Sequence, residues 1–318
     1  MTKDLTIIIL LYNSAAIIKG CLERIDLQKY EVVVVDNASR DDGLQIVQQN
    51  FPAIKTIRLE KNLGYGNGNN VALNQVDTDY ALILNPDSVL QEDGIEKILQ
   101  LMKADSSIAL AGPAVFEGYK IDNIASWQGP TDDEWKVIND HGFQSRKQEI
   151  LQDIFGSKNI YYDKYNENAF LARFISGCAL FMNMATMKKI GFFDAEIFLF
   201  YEDNEICSRS NDKGYKNVVV ADVAVYHING GSAKRSLKLT FLRSWHLAWS
   251  KLYWKGKSKS WFSIKKSALR IAIVSLVQVF FSLSDKEKFV ASLASSCGSF
   301  AYFLGLKAFR KNGLPRVA

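Results

Sequence analysis

Few residues of this 318-residue chain are of the kinds that fasten a protein covalently. Its four cysteines, Cys21, Cys178, Cys207 and Cys297, are scattered, with no CxxC pair and no metal-ligand spacing. That excludes a disulfide framework and points to reduced, mostly buried thiols of a cytosolic protein. No secretory leader is expected, because Met1-Thr2-Lys3-Asp4 runs straight into a strand-like segment. No apolar run reaches the roughly 20 residues of a membrane span. Ile271 to Leu283 is apolar for about thirteen residues with Gln278 inside, and Phe289 to Leu306 is rich in Ser and Gly. Internal repeats and low-complexity runs are absent. A content of 48% hydrophobic and 23% charged residues argues against disorder. The first strand–helix turn, Leu11-Tyr12-Asn13-Ser14-Ala15, lacks the glycine fingerprint of a dinucleotide-binding oxidoreductase.

What is present begins with a division of charge. The net charge is +5, yet residues 233–318 carry 17 Lys+Arg against 2 Asp+Glu, and the remainder carries 22 against 32. A basic appendage of this kind suits an anionic partner, membrane or nucleic acid. Nucleic acid fits less well, since the acidic remainder offers no continuous basic face and no reading motif.

Strand-like and helix-like segments alternate from Leu5 to Val115. Leu5–Tyr12, Tyr30–Asp36, Ile54–Leu59, Tyr80–Leu84 and Ile108–Val115 read as strands. Helices are expected after Asn13-Ser14, over Asp41–Asn50, to about Gln75 and near Gln91–Lys103. The alternation predicts an α/β fold with a mainly parallel sheet covered on both faces. From Glu117 to about Asn168 periodicity fades, which marks a variable insertion of lid or binding-loop kind. Order returns from Phe170, through Ser176-Gly177, Gly191-Phe192-Phe193-Asp194 and Glu202-Asp203-Asn204-Glu205, to a strand that delivers His227.

The chemistry concentrates where strands stop. Asn85-Pro86-Asp87 ends an apolar strand, so Asp87 emerges at a carboxyl edge, where open α/β sheets bind ligands. A plain strand-ending turn is the competing reading. Asp87 and His227 are a carboxylate and an imidazole, donors suited to Mn²⁺, while Mg²⁺ prefers carboxylate, phosphate and water. A structural histidine is the competing reading for His227. Asp36 closes a strand and is either a turn residue or an acceptor for the N3–H of a uracil or thymine ring. Gly64-Tyr65-Gly66-Asn67-Gly68 lacks the terminal Lys-Ser/Thr of a phosphate-binding loop, and reads as a tight loop or as backbone wrapped close to a ligand. Glu202 and Asp203 either complement a helix dipole or supply a general base, Asp203.

Seven elements stand in order: Asp36-Asn37-Ala38-Ser39, Asn62-Leu63-Gly64-Tyr65-Gly66, Asn85-Pro86-Asp87, Ser176-Gly177, Gly191-Phe192-Phe193-Asp194, Glu202-Asp203 and His227. Together they resemble a family 2 glycosyltransferase of the GT-A fold, the Rossmann-like nucleotide-diphospho-sugar transferase architecture, and most of all its bacterial rhamnosyltransferase-like members. The resemblance covers Leu5 to Ser232. It implies that Asp36 contacts the nucleobase and that Leu11, Tyr12, Asn13, Asn62, Gly64, Asn69 and Asn85 border the nucleotide sugar. Asp87 and His227 would hold a divalent metal (Mg²⁺ or Mn²⁺) on the diphosphate. Asp203, with Glu202 beside it, would be the base of an inverting displacement. The common Asp-x-Asp is Asn85-Pro86-Asp87 here, one carboxylate fewer. The implied donor is dTDP-rhamnose, with a UDP-sugar and a galactofuranosyl- or other hexosyltransferase as the alternative. The implied acceptor is a polyprenyl-diphosphate-linked saccharide of O-antigen-type polysaccharide. A non-catalytic sugar-binding scaffold is the reading from a different class.

Residues 1–232 thus read as the catalytic domain, with 117–168 as its variable acceptor region, and 233–318 as a basic, aromatic, helical tail. Trp245, Trp249, Trp254 and Trp261 fall among lysines and Arg243. Tryptophan with lysine fits an anionic membrane surface, whereas a helix packing its aromatics on the catalytic domain is the plainer reading. The expectation is in-plane, peripheral attachment to the inner face of the cell membrane from the cytoplasmic side.

Overall fold

A computed structural model describes residues 3–90, 92–117, 163–227 and 236–317. Most of the expected insertion lies outside these residues, as does Gly230-Gly231-Ser232. The chain divides into two compact units. One comprises Met1–Glu60, Val71–Phe192 and Ile206–Ala233, the other Lys61–Asn70, Phe193–Glu205 and Lys234–Ala318.

The first unit is built on a nine-stranded sheet. Its strands are β1 (Leu5–Leu11), β2 (Glu31–Asp36), β3 (Lys55–Arg58), β4 (Tyr80–Leu84), β5 (Ser88–Leu90), β6 (Ile108–Glu117), β7 (Ala169–Leu171), β8 (Ala179–Asn183) and β9 (Lys216–His227). They run in the order β3-β2-β1-β4-β8-β6-β9-β5, with β7 on β9. β1 is a continuous run of β-branched and leucine residues because both of its faces are covered. It pairs in parallel with β2, in register Leu11↔Asp36, and with β4. The mainly parallel sheet expected from the alternation is parallel across β3-β2-β1-β4 and mixed beyond. There β8 lies antiparallel to both β4 and β6, and β9 is again parallel to β6. β8 follows the long insertion, which frees it from the right-handed crossover that keeps consecutive strands parallel.

The helices alternating with these strands are α1 (Ala15–Leu22), α2 (Gly43–Asn50), α3 (Tyr65–Leu73), α4 (Glu92–Ala104), α5 (Met184–Ile190) and α6 (Glu202–Asp212). The core of the first unit includes Ile7, Ile9, Ile18, Val34, Leu82, Phe181 and Val218, each essentially inaccessible. Cys21, Cys178 and Cys207 are buried thiols, and Cys297 is an exposed one.

The second unit holds α7 (Leu237–Gly256), α8 (Trp261–Phe281) and α9 (Lys286–Phe303). Ser236, Ser260 and Asp285 cap them by accepting backbone N–H groups of Leu239, Ser263 and Glu287 with Lys288. A small-residue crossing brings α7 and α9 together: a Cβ on Gly298 would stand 2.4 Å from the Trp245 carbonyl oxygen. Trp245 and Trp249 are buried with Phe198, Ala294 and Ala301, and Trp254 stacks on Tyr201. Of the four tail tryptophans expected at a membrane surface, these three pack inside their own unit, and only Trp261 is fully displayed, at 73% exposure. Among the described residues no helix is long and apolar enough to cross a membrane.

Candidate active site

The expected residues fall in three groups, two in the first unit and one in the second. In the first unit the loops after β1 and β2 are stitched together. The Asn37 amide donates to the Leu11 carbonyl (2.9 Å), the Asn13 amide to Ser39 Oγ (3.0 Å) and the Arg40 amide to Asn13 Oδ1 (2.9 Å). Asn13 and Ala38 adopt φ of 55° and 61°, the left-handed region that non-glycine residues rarely occupy. Such backbone persists where neighbouring contacts over-determine it, commonly at ligand sites. Ser14 stands at the N-cap of α1, as the sequence led one to expect, but its side chain makes no cap bond. Asp41 takes that role, accepting the Ala15 amide at 2.8 Å. Tyr12 is exposed and Leu11 buried at the same corner.

Asp36 is 2% exposed at the end of β2. One oxygen accepts the Ser39 amide at 2.9 Å, so the turn reading is realised. The other oxygen lies 3.8 Å from Arg58 Nε, a charge partner that sequence proximity did not reveal. The β2–β3 register, which sets Asp36 opposite Arg58, creates it.

At the end of β4 the chain turns through Asn85-Pro86-Asp87, held by the Asn85 amide donating to the Cys178 carbonyl (2.9 Å). β5 follows at once and pairs antiparallel with the end of β9, Ser88 opposite His227. The register brings His227 Nε2 to 3.3 Å from Asp87 Oδ1 and to 3.4 Å from Asn85 Nδ2. Both side chains are largely buried. Three residues named from sequence are thereby brought into contact. Among the described residues no group of three or more His, Cys, Asp or Glu could enclose a metal. One carboxylate and one imidazole nonetheless fit a Mg²⁺ or Mn²⁺ that draws its remaining ligands from phosphate oxygens and water.

In the second unit, Asn62–Gly64 lead into α3, which takes in Tyr65–Asn70 as helix where the sequence reads as a loop, and Gly64 and Gly66 serve close packing. Gly64 has φ 85°, and a Cβ there would lie 2.0 Å from the Phe198 carbonyl oxygen; one on Gly66 would lie 2.8 Å from Phe193 Cβ. Asn62 Oδ1 accepts the Gly64 amide at 2.8 Å. Asn70 exchanges two hydrogen bonds with the Phe193 backbone (2.8 and 3.0 Å). Asn69 is fully buried and donates to the Tyr65 carbonyl at 3.1 Å. Asn62–Asn70 therefore fasten the segment that leads into α6, a tie through Asn70 that the sequence did not display.

Phe200 and Tyr201 carry φ of 66° and 65°, two consecutive left-handed residues directly before Glu202. They deliver Glu202 and Asp203 into the first turn of α6, where negative charge is favoured. The two acids differ in setting. Glu202 is buried, its Oε2 has no hydrogen-bond partner, and burial together with the Asp203 charge pushes its carboxyl up to about 8. Asp203 is half-buried and accepts the Asn204 amide at 2.9 Å. This separation leaves Asp203 as the carboxylate able to accept a proton from a substrate hydroxyl.

A further support escaped the sequence entirely. Lys257 donates to Asp194 Oδ2 (2.5 Å) and Glu205 Oε1 (2.7 Å), and Tyr253 donates to the same Asp194 oxygen (3.0 Å). Burial opposes ionisation of Asp194, but Lys257, the Glu196 amide and Tyr253 outweigh it and hold the carboxyl below its usual range. Lys257 had counted only as one charge of a basic tail.

The glycosyl transferase family 2 profile matches residues 6–191, and the chain belongs to that family. It is similar to the low-salt glycan biosynthesis hexosyltransferase Agl10 of Haloferax volcanii, 25% identical over 216 residues, 66% of this chain and 62% of that one. It is also similar to the rhamnosyltransferase WbbL of Escherichia coli K12, 24% identical over 227 residues, 66% of this chain and 78% of that one. Of two other matched relatives the chain spans 15% of the length each. Among solved structures, the mannosyltransferase PcManGT of Pyrobaculum calidifontis, in complex with GDP-Man and Mn²⁺, superposes with a TM-score of 0.54 at 14% identity. That match covers 96% of this chain and 88% of the other. The fold is GT-A.

Proposed function

We propose that the chain is an inverting glycosyltransferase that moves a sugar from a nucleoside-diphosphate sugar to a lipid-linked saccharide acceptor. The observation that carries this reading is the Asp87–His227 pair, at 3.3 Å beside Asn85 at the carboxyl end of β4. L-rhamnose from dTDP-rhamnose is the preferred donor, supported by the likeness to WbbL across most of both chains. A UDP-sugar is the alternative, because uracil and thymine present the same edge to Asp36. The acceptor would be a polyprenyl-diphosphate-linked saccharide of cell-surface polysaccharide, met at the inner face of the membrane through the C-terminal region.

In this mechanism Asp36 accepts the N3–H of the base with the oxygen not engaged by Ser39. Asp87 and His227 would hold a divalent ion, which would supply positive charge against the departing diphosphate. Asp203 accepts the proton of the acceptor hydroxyl. The hydroxyl oxygen bonds to the anomeric carbon as the bond to the diphosphate breaks on the opposite face, and the leaving group takes that electron pair. Glu202, kept protonated by burial, adds no second negative charge beside Asp203.

Calorimetric titration of dTDP and UDP, with and without Mn²⁺ or Mg²⁺, tests the reading on the wild type and on Asp87→Ala. Metal-dependent binding that disappears in the variant is expected. Absence of binding by both nucleotides under every condition overturns the proposal. A non-catalytic scaffold would bind donor without turnover and would tolerate Asp203→Asn unchanged.

A further inference from the structure

α8 is built inside out. Its protein-facing side carries mostly small residues, Ala268, Ala272 and Ser275 with Ile264 and Val279, and Ser296 of α9 donates to the Ala272 carbonyl across that contact (2.8 Å). The opposite side, at helical spacing, carries the large apolar residues Ile273, Val274, Leu276, Val277, Phe280 and Phe281, exposed by 48% to 83%. An ordinary surface helix shows the reverse arrangement. An outward row of this size marks a surface that is covered in use.

The charges beside the row identify the covering. Every ionised group of α8 is basic: Lys265, Lys266 and Arg270. Lys265 is engaged with the Tyr302 and Phe303 carbonyls, whereas Lys266 and Arg270 are exposed about two turns and one turn before the apolar row and on its side. The preceding loop adds exposed Lys259, while after the helix Lys286 and Lys288 are balanced by Asp285 and Glu287. A second copy laid parallel to the first would bring these same cations against each other. An anionic lipid surface neutralises them all while taking up the apolar row. The stretch from Ile271 to Phe281 covers about 16 Å at 1.5 Å per residue, short of a hydrocarbon core of roughly 30 Å.

We propose that α8 lies in the plane of an anionic bilayer, with the Ile273–Phe281 row sunk among the acyl chains and Lys266 and Arg270 at the lipid phosphates. This deepens the membrane partner named above by assigning it to one helix face, and it removes Trp245 and Trp249 from that role. Docking needs neither donor nor metal, so its test is separate from that of the transferase.

The experiment is sedimentation of the full chain with vesicles of phosphatidylcholine alone or mixed with phosphatidylglycerol. The wild type is expected to bind the mixed vesicles and to be released by salt. Ile273→Asp with Val277→Asp should weaken binding by about tenfold or more. Lys266→Glu with Arg270→Glu should weaken binding to the anionic vesicles alone, by roughly fivefold or more per residue. All four positions are exposed, and circular dichroism together with unchanged nucleotide titration checks that the variants fold. Failure of the wild type to bind, or unchanged binding by both double variants, overturns the proposal. So does a wild-type dimer, seen by sedimentation velocity, that Ile273→Asp with Val277→Asp converts to monomer without affecting vesicle binding, because the face then belongs to a second copy.

Discussion

Asp203 and Glu202 share one helical turn, but Glu202 is buried and Asp203 only half-buried. Glu202 keeps its proton through a range in which the unfolded chain has already lost it. The folded state then binds more protons than the unfolded state, so stability falls as pH rises. The contribution of Glu202 is full below its ordinary 4.5 and is lost as pH climbs through about 8. Each pH unit inside that window removes up to about 1.4 kcal/mol. Urea midpoints taken between about pH 6.5 and 8 should therefore decline in the wild type and stay level in Glu202→Gln. Asp203→Asn is expected to lower turnover by about 10²- to 10⁴-fold with donor binding retained, the range for a missing general base. Single-turnover assays beside nucleotide titration separate those two effects. Residue by residue, the sequence displayed the acids and not their difference, because burial of Glu202 is a property of packing.

At the scale of elements, the strand–turn–strand logic of Asn85-Pro86-Asp87 was readable because an apolar run stops there at residues that cannot continue it. The partner was readable only as a candidate. Ser88–Leu90 is too short to announce itself as a strand, and its register with β9 is what turns His227 toward Asp87. Other ties leave no local trace at all. Lys257 anchors Asp194 and the buried Glu205, so Lys257→Met is expected to cost about 2 kcal/mol. That is less than the 3–5 kcal/mol typical of a broken buried pair, since Lys257 keeps 40% of its side chain in solvent. Chemical denaturation measures it. Gly298→Val should cost about 1–3 kcal/mol or more in the same assay, because backbone rather than a flexible side chain stands in the way of the new atoms. His246 of α7 is buried and donates to the Val317 carbonyl, and burial lowers its imidazole to about 4. Its neutral form is the folded one, so stability is expected to drop as pH falls from about 6.5 towards 4, and His246→Gln should soften that acid limb.

For the whole molecule, the α/β class and the helical C-terminal region followed from periodicity and composition. The mixed half of the sheet did not, because the strand that reverses it follows a stretch without periodicity. The charge division was visible in the sequence as a sum, yet the docking proposed for it uses one helix face, and four tryptophans drew attention to places where packing consumes three of them. A ligand that binds only the folded chain raises its stability by about 2.7 kcal/mol at a hundredfold excess over Kd. Melting of the intact protein should therefore shift upward with the cognate nucleotide and Mn²⁺, and Asp87→Ala should lose the metal-dependent part of that shift.

The pairing of Asn85 and Asp87 with His227 also has a history in time. Asn85 and His227 are 142 residues apart in the chain. At about 5–20 residues per second, a ribosome takes roughly 7 to 28 s to pass from one to the other. Throughout that interval the nascent chain already displays β1 and β4 but lacks β9, so Asp87 waits without its imidazole. Ribosome-arrested chains ending before residue 216 are expected to show no metal-dependent nucleotide binding, and chains extended beyond the tail to acquire it.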